Sequence, residues 1–168
     1  METYELFVLR HGKSDWENDA PSDFQRPLNK RGIKAANHMA KWMAENIEMP
    51  LQIASSPALR AWQTAVAVSQ AVEIPEHEIL FLGELYLASC EELLTVLSVF
   101  SEDEKRVLLI GHNPGLELLV SYLADKPIPE SDDGKIMPTA TLAHLTFSHN
   151  WQQLSKGTGT LQWIRRPK

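Results

Sequence analysis

Cysteine is nearly absent from this sequence of 168 residues. The single cysteine, Cys90, cannot form an internal disulfide, and no group of Cys and His residues has zinc-finger spacing. No apolar run approaches the roughly 20 residues that cross a bilayer, and the start METYE lacks the basic and apolar regions of a signal peptide. We therefore expect a soluble, cytoplasmic protein with no membrane partner.

Basic residues are also in the minority. The chain has 16 Lys and Arg against 22 Asp and Glu, which is a formal net charge of -6. Sequence-independent nucleic-acid binding depends on a surplus of positive charge, so no nucleic-acid partner is expected. The sequence has no internal repeats, and its length suits one domain over residues 1–168, which we expect to be a monomer.

The sequence lacks one of the glycines that a nucleotide-binding P-loop requires. The segment Gly12-Lys13-Ser14 matches the end of that motif, which needs a second glycine at position 7. Phe7 stands there, inside an apolar run, and cannot form the backbone cradle that wraps phosphate. The motif is therefore excluded, and Arg10 and His11 need another explanation.

Short apolar runs alternate with amphipathic segments along the chain. The runs YELFVL, LQIA and RVLLIG are each followed by a helix signal, whereas the late runs TATLAHLTF and GTLQWIRR predict strands at an antiparallel edge. This alternation is typical of an α/β fold, a three-layer α/β/α sandwich with a mostly parallel central sheet.

Four helix starts carry recognisable signals. Asn29 is the predicted N-cap of a helix whose buried face should contain Ile33, Ala36, Ala40, Met43 and Ile47. Ser56 followed by Pro57 predicts the start of a second helix, and Asn113 followed by Pro114 predicts the start of another. A Ser-x-x-Glu capping box, Ser89 with Glu92, predicts the start of the fourth.

Polar side chains follow three of the predicted strands. The first strand runs into Arg10-His11-Gly12, the second into Ser55-Ser56 with Arg60 one helical turn later, and the third into His112. Ligands bind at the carboxyl ends of parallel strands, where helix N-termini also favour negative charge, so this set predicts an anion site. The Asp-, Pro- and Ser-rich loop SDWENDAPSDFQRP is predicted either to wall the site or to be a solvated connector.

Phosphoryl transfer without a metal suits these residues. An arginine side chain can bind two phosphate oxygens at once and stays charged. A neutral imidazole at His11 can attack phosphorus and carry the phosphoryl group. A metallohydrolase that uses His11, His112 and the pair Asp132-Asp133 is the alternative. The charges of the arginines would repel a metal cation, which disfavours it.

Three separated motifs resemble the histidine phosphatase superfamily, also called the phosphoglycerate mutase-like or RHG family. They are RHG, SSPALRAWQTA and GHNPG, and the stretches RHGKSDW and RPLNKRG look like its SixA-type branch of phosphohistidine phosphatases. The resemblance implies a phosphoglycerate mutase-like fold without a large cap. It implies that His11 is the phosphorylated nucleophile and that Arg10, Gly12, Arg60 and His112 bind the phosphate, with no cofactor and no metal.

The resemblance also implies a substrate. A site without the insertions that cover small sugar phosphates suits a phosphohistidine-bearing protein, such as a phosphotransfer domain or a sugar-transport carrier. In Leu82-Gly83-Glu84 the chain keeps the acidic residue of a family motif, so Glu84 is a candidate proton donor, with a structural or substrate-contacting role as the alternative. Two other functions remain open: a broad-specificity small-molecule phosphomonoesterase, and a phospho-binding module without catalysis, which would have no need for His11.

Overall fold

The computed structural model describes residues 2–167 and, within that range, contains six β-strands and four α-helices. In chain order they are β1 (Tyr4–Arg10), α1 (Lys30–Asn46), β2 (Gln52–Ser55), α2 (Leu59–Ala71), β3 (Leu80–Phe81), α3 (Cys90–Leu97), β4 (Arg106–Gly111), α4 (Gly115–Leu123), β5 (Leu142–Phe147) and β6 (Thr160–Arg165). None of the helices in residues 2–167 combines the length and the apolar character needed to cross a lipid bilayer.

The strands form one mixed sheet in the order β3-β2-β4-β1-β5-β6. Strands β1 to β4 pair in parallel, whereas β5 pairs antiparallel with both β1 and β6. The prediction of a mostly parallel centre with an antiparallel edge is confirmed. The sequence pattern does not reveal β3, because a strand of two residues is too short for its alternation to be recognised.

The two faces of the sheet are covered by different pairs of helices. Successive residues of a strand point to opposite faces, so Phe7 and Leu9 of β1 pack with α1 and α2, whereas Leu6 and Val8 pack with α3 and α4. This confirms the predicted three-layer α/β/α sandwich. Both clusters are made of buried aliphatic, aromatic and methionine side chains, whose close packing holds the helices against the strands.

Two of the predicted helix starts are confirmed. The Asn29 side chain caps α1 by accepting a hydrogen bond from the Gly32 N–H at 2.7 Å. At the start of α3, Ser89 and Glu92 form both hydrogen bonds of the predicted capping box. Both signals depend only on residues within one turn, which is why the sequence reveals them.

The other two helix starts differ from the prediction. Helix α2 begins at Leu59, because Ser56 Oγ accepts from the nearby Ala58 N–H and lies 2.8 Å from the ring of His112. Helix α4 begins at Gly115 with Pro114 at the N-cap position, and Asn113 Oδ1 accepts from the Glu117 N–H of the first turn from one residue further out.

The predicted buried face of α1 is wrong at one end. Ile33 is 46% exposed beside Trp62 in a shallow groove between α1 and α2, and Met39 is buried instead. Contact with α2 as well as with the sheet rotates the buried face away from Ile33, and a single-helix pattern cannot anticipate that second contact.

The strand register brings the polar strand ends together. Arg10 at the end of β1 lies opposite Gly111 of β4, and Ser55 at the end of β2 lies opposite Ile110 of the same strand. The residues that follow these three strands therefore leave the sheet at one edge, where ligands bind in open α/β sheets.

Candidate active site

The predicted residues Arg10, His11, Arg60 and His112 line one cleft of about 280 Å³ at this edge. The cleft confirms the predicted convergence of two arginines and two histidines. Its other lining residues are Lys13, Ser14, Trp16, Asp23, Leu87, Asn113 and Thr139. Since Ser14, Trp16 and Asp23 belong to the loop that follows β1, the interpretation of that loop as a wall of the site is confirmed over the solvated-connector alternative.

The ring of His11 is held in one tautomer. Its Nδ1 lies 2.6 Å from the carbonyl oxygen of Gly12, which can only accept, so Nδ1 carries the hydrogen and donates it. Its Nε2 then holds the lone pair, toward which Arg60 Nε–H points at 3.3 Å. His11 is buried, with 6% of its surface exposed, so this orientation is fixed by its surroundings.

Arg60 is fixed in turn by Asp23. Its Nη1 donates to the main-chain oxygen of Asp23 at 2.7 Å, and its Nη2 donates to Asp23 Oδ2 at 3.0 Å. The Tyr86 hydroxyl donates to the same carboxylate oxygen at 2.6 Å, and this bond, together with Arg60, holds the pKa of Asp23 below its usual range. Asp23 is therefore ionised at neutral pH. It binds the two terminal nitrogens of Arg60, and the remaining Nε–H is directed at His11.

Thr64 connects the loop after β1 to helix α2. Its hydroxyl accepts from the Gly12 N–H at 3.2 Å and donates to the Arg60 carbonyl at 2.8 Å. Gly12 also packs against the backbone of Gly32, where an added Cβ would lie 2.7 Å from the Gly32 oxygen. Only glycine permits this approach, so the loop carrying His11 is held between α1 and α2.

The ring of His112 has one satisfied nitrogen and one free nitrogen. Its Nε2 lies 2.8 Å from Ser56 Oγ, whereas its buried Nδ1 has no hydrogen-bond partner among residues 2–167. The centre of the ring is 5.0 Å from that of His11. A buried nitrogen without a partner is unfavourable, and an anion oxygen in the cleft could supply the missing bond.

Arg10 is positioned through the chain segment that precedes β5. Its Nη1 donates to the Met137 carbonyl at 3.0 Å, and Asn113 Nδ2 donates to the same oxygen at 2.9 Å. The carboxylate of Glu117, in the first turn of α4, accepts from the N–H groups of Ile136 and Met137. Glu117 therefore holds the backbone that holds Arg10.

Both histidines of the cleft are neutral at pH 7. Burial lowers the pKa of His11 to about 3. The hydrogen bond to Gly12 opposes the effect, and the charges of the arginines, and of His112 when it is protonated, add to it. Burial, followed by the charge of Arg60, lowers the pKa of His112 to about 4. The lone pair on His11 is thus available without a separate base to remove a proton.

Glu84 is not brought to the cleft with the other four candidates. It lies exposed in a 3₁₀ turn, Gly83–Leu85, and is not among the residues that line the cleft. Leu87, three residues later, lines the cleft in its place and has a positive φ of 51°. The left-handed backbone of Leu87 turns the chain shortly before α3, whereas Glu84 is exposed in the preceding turn.

The residues of the metallohydrolase alternative do not converge. Within residues 2–167, no three or more His, Cys, Asp or Glu side chains lie close enough together to hold a metal ion. Asp132 and Asp133 are exposed in a turn and do not line the cleft that contains His11 and His112.

Three residues that build the site carry no signal at the sequence level. They are Asp23, Tyr86 and Glu117. Each acts on a partner at least 19 residues away, so no local spacing could indicate it. Asp23 lies in an acidic loop that contains three other Asp and Glu residues, from which it does not stand out.

Comparison with known families agrees with this geometry. Residues 6–96 match the model of the histidine phosphatase superfamily, branch 1. The match spans more than half of the chain and includes the RHG motif and Arg60, so the chain belongs to this superfamily. The family expected from the three motifs is thereby confirmed.

The most similar relatives include proteins named SixA. The phosphohistidine phosphatase SixA of Escherichia coli (strain K12) is 29% identical over an alignment of 169 positions, which covers 97% of this chain and 94% of that protein. The solved structure of the protein histidine phosphatase SixA with tungstate has a TM-score of 0.76 and 28% identity, with 97% of each chain covered. A structure from Agrobacterium tumefaciens assigned as SixA has the same TM-score and identity, over 98% of this chain and 99% of that one.

Proposed function

We propose that this protein is a phosphatase that hydrolyses phosphohistidine on other proteins, with His11 as the group that carries the phosphoryl intermediate. The observation that carries the proposal is the neutral ring of His11, whose Nε2 lone pair meets Arg60 Nε at 3.3 Å in a cleft that Arg10 and His112 also line. The similarity to a protein named phosphohistidine phosphatase SixA, over nearly the whole chain, supports the same substrate class.

In the first step, His11 Nε2 attacks phosphorus and the bond from phosphorus to the substrate imidazole breaks. The electron pair of that bond leaves with the substrate imidazole, which is neutral if its other nitrogen is already protonated. Arg10, Arg60 and the free Nδ1 of His112 are the groups that would stabilise the three phosphoryl oxygens. Gly12, which the resemblance also assigns to phosphate binding, instead uses its N–H on Thr64 and its carbonyl on His11.

In the second step, water attacks the phosphorus on His11, the bond from phosphorus to Nε2 breaks, and both protons of the water are retained by the phosphate product. The leaving group is now the His11 ring itself. Because Nδ1 keeps its hydrogen on the Gly12 carbonyl, this ring also departs as a neutral imidazole. One hydrogen bond therefore both directs Nε2 at the substrate and makes the intermediate easy to hydrolyse.

The shortage of proton donors favours phosphohistidine over phosphate esters. An alkyl phosphate expels a basic alkoxide and needs a positioned acid, worth about 10²–10⁴-fold in rate. In this cleft both histidines are neutral, Asp23 is ionised, and Glu84 is outside. A protonated phosphoimidazole needs no such donor, so the cleft is better matched to it than to an ester.

The remaining features of the proposal concern the context of the reaction. The expected partner is a phosphotransfer domain or a sugar-transport carrier that bears phosphohistidine. We propose that the enzyme acts in the cytoplasm as a monomer, with one domain over residues 1–168, and without a metal or another cofactor. The guanidinium groups of Arg10 and Arg60 would supply the positive charge that a metal ion supplies in other phosphatases.

The proposal predicts a strong substrate preference. With EDTA present, kcat/KM for a histidine-phosphorylated phosphotransfer domain should exceed that for phosphoserine or a sugar phosphate by at least about a hundredfold, since only the esters need a general acid. The measurement is phosphate release from each substrate at one pH. Activity that disappears in EDTA and returns with one divalent ion, or a preference for the ester, would contradict it. Binding without turnover would instead identify a phospho-binding module.

Replacing Glu84 tests the absence of a general acid. Because Glu84 is exposed and outside the cleft, Glu84→Gln should change phosphohistidine turnover by less than about tenfold, below the usual contribution of a true acid. Glu91→Gln, at an exposed position in the first turn of α3, is the matched control. A loss of about a thousandfold on a phosphate ester in Glu84→Gln alone would make Glu84 the proton donor and the protein a small-molecule phosphatase.

A further inference from the structure

A second cavity adjoins the cleft and is lined by basic side chains. This basic groove has a volume of about 600 Å³, roughly twice that of the cleft, and it shares Lys13 and Thr139 with the cleft. Its remaining lining residues are Arg31, Lys34, Ala35, His38 and Pro167. No Asp or Glu side chain is among the residues that line it.

The positions of the basic residues are built into the fold. Arg31, Lys34 and His38 are three and four residues apart on α1, so they form one stripe along the helix. The start of α1 is locked to the loop that carries His11, because the Asn29 N–H donates to the Lys13 carbonyl at 2.9 Å and a Cβ on Gly32 would lie 2.1 Å from the same oxygen. The stripe therefore keeps a constant position relative to the cleft.

The cations of the groove are not neutralised within the described part of the chain. No carboxylate of residues 2–167 forms an ion pair with Lys13, Arg31 or Lys34, although five of the lysines and arginines elsewhere do form such pairs. The protein as a whole has a net charge of -6. A local concentration of positive charge on an acidic protein directs an acidic partner to this one surface and repels it from the rest.

We propose that the basic groove binds an acidic segment of the substrate protein, adjacent to its phosphohistidine. This inference rests on the proposed function and specifies the chemistry of its partner. The small cleft holds the phosphorylated side chain, and the larger groove offers room for flanking residues. Because Lys13 borders both cavities, the acidic segment begins next to the phosphorylated residue along the chain or in space.

Two synthetic phosphohistidine peptides test the groove directly. They are identical except for several flanking positions, which are Asp in one peptide and Ser in the other. The wild-type enzyme should prefer the Asp peptide by about tenfold in kcat/KM at low salt, and this preference should shrink at high salt as the charges are screened. Free phosphohistidine, which cannot reach the groove, should be insensitive to salt by comparison.

Charge reversal then separates docking from catalysis. The double variant Arg31→Glu with Lys34→Glu should lose the preference for the Asp peptide and keep its kcat/KM for free phosphohistidine within about twofold. Lys156→Glu, an exposed change before β6 in a loop bonded to the last turn of α4, should retain the preference. If the double variant keeps the preference, or loses activity on free phosphohistidine equally, the groove does not dock substrate.

A binding measurement tests peptide docking in the basic groove separately from hydrolysis of phosphohistidine. The unphosphorylated Asp peptide should shift the amide NMR signals of residues 13, 31 and 34 in the wild type. The signals at the same three positions should not shift in the double variant. Shifts elsewhere or none at all would overturn the groove as a docking surface. If these shifts appear while no phosphohistidine substrate is hydrolysed, the proposed function is wrong and the groove stands.

Discussion

Replacing His11 by asparagine is expected to lower kcat/KM for phosphohistidine by more than about a thousandfold, because the variant has no nitrogen lone pair to form the covalent intermediate. Binding of inorganic phosphate or tungstate should persist, since Arg10, Arg60 and His112 still line the cleft. Turnover is measured by phosphate release and anion binding by calorimetry. The combination separates loss of the nucleophile from loss of the pocket.

Trapping the intermediate provides the decisive comparison for His11. After brief exposure to ³²P-labelled substrate and quenching in alkali, wild-type enzyme should carry acid-labile label and His11→Asn should carry none. His149→Asn, at an exposed position after β5, is the matched control and should be labelled like the wild type. Equal labelling of wild type and His11→Asn would show that the phosphoryl group is carried elsewhere or not at all.

Replacing Arg60 by lysine should have the second largest effect. Lysine keeps the charge but cannot bond to Asp23 through two nitrogens while directing a third at His11, as Arg60 does. Removal of one preorganised donor to a transition state typically lowers the rate by about 10²–10³-fold, and we expect a loss of that order in kcat/KM. A loss of less than about threefold would contradict the role of Arg60 in the phosphate pocket.

Two measurements distinguish this effect from misfolding. Because Arg60 is buried, its replacement can affect folding. The melting temperature and the circular dichroism spectrum of Arg60→Lys must therefore match those of the wild type before its kinetics are interpreted. Asp23→Asn leaves Arg60 in place and keeps its bond to the main-chain oxygen of residue 23. As the substitution of a positioning residue, it should lower kcat with a smaller loss than Arg60→Lys and should leave tungstate binding nearly unchanged.

The sequence predicts those residues of the site that come at or just after the end of a strand. Arg10 and His11 come at the end of β1, Ser56 and Arg60 after β2, and His112 after β4. Since parallel strands present their carboxyl ends at one edge, recognising the strands was enough to predict that these side chains meet. The same local reasoning revealed the cap of α1 and the capping box of α3, which each depend on a few consecutive residues.

Glu84 shows the limit of motif reasoning. The acidic residue of the motif is retained in the sequence, yet the 3₁₀ turn at Gly83–Leu85 leaves it exposed, and Leu87 lines the cleft instead. The direction of a side chain on an irregular segment depends on backbone angles that tertiary contacts impose. For the same reason, the observed N-caps of α2 and α4 are Ala58 and Pro114, two residues and one residue after the predicted Ser56 and Asn113.

By itself the sequence determined the α/β alternation, the strand ends that carry Arg10, His11 and His112, and the family, because each depends on neighbouring residues or on motif order. Only the tertiary structure decided how those groups are tuned. The bond of Asp23 to Arg60 spans 37 positions of the chain, and that of Tyr86 to Asp23 spans 63. The low pKa of His11 arises first from burial, which exists only when the helices close over the sheet. The basic groove likewise forms only where α1 packs against the loop of Lys13, because that packing places Lys13 beside the basic stripe of the helix.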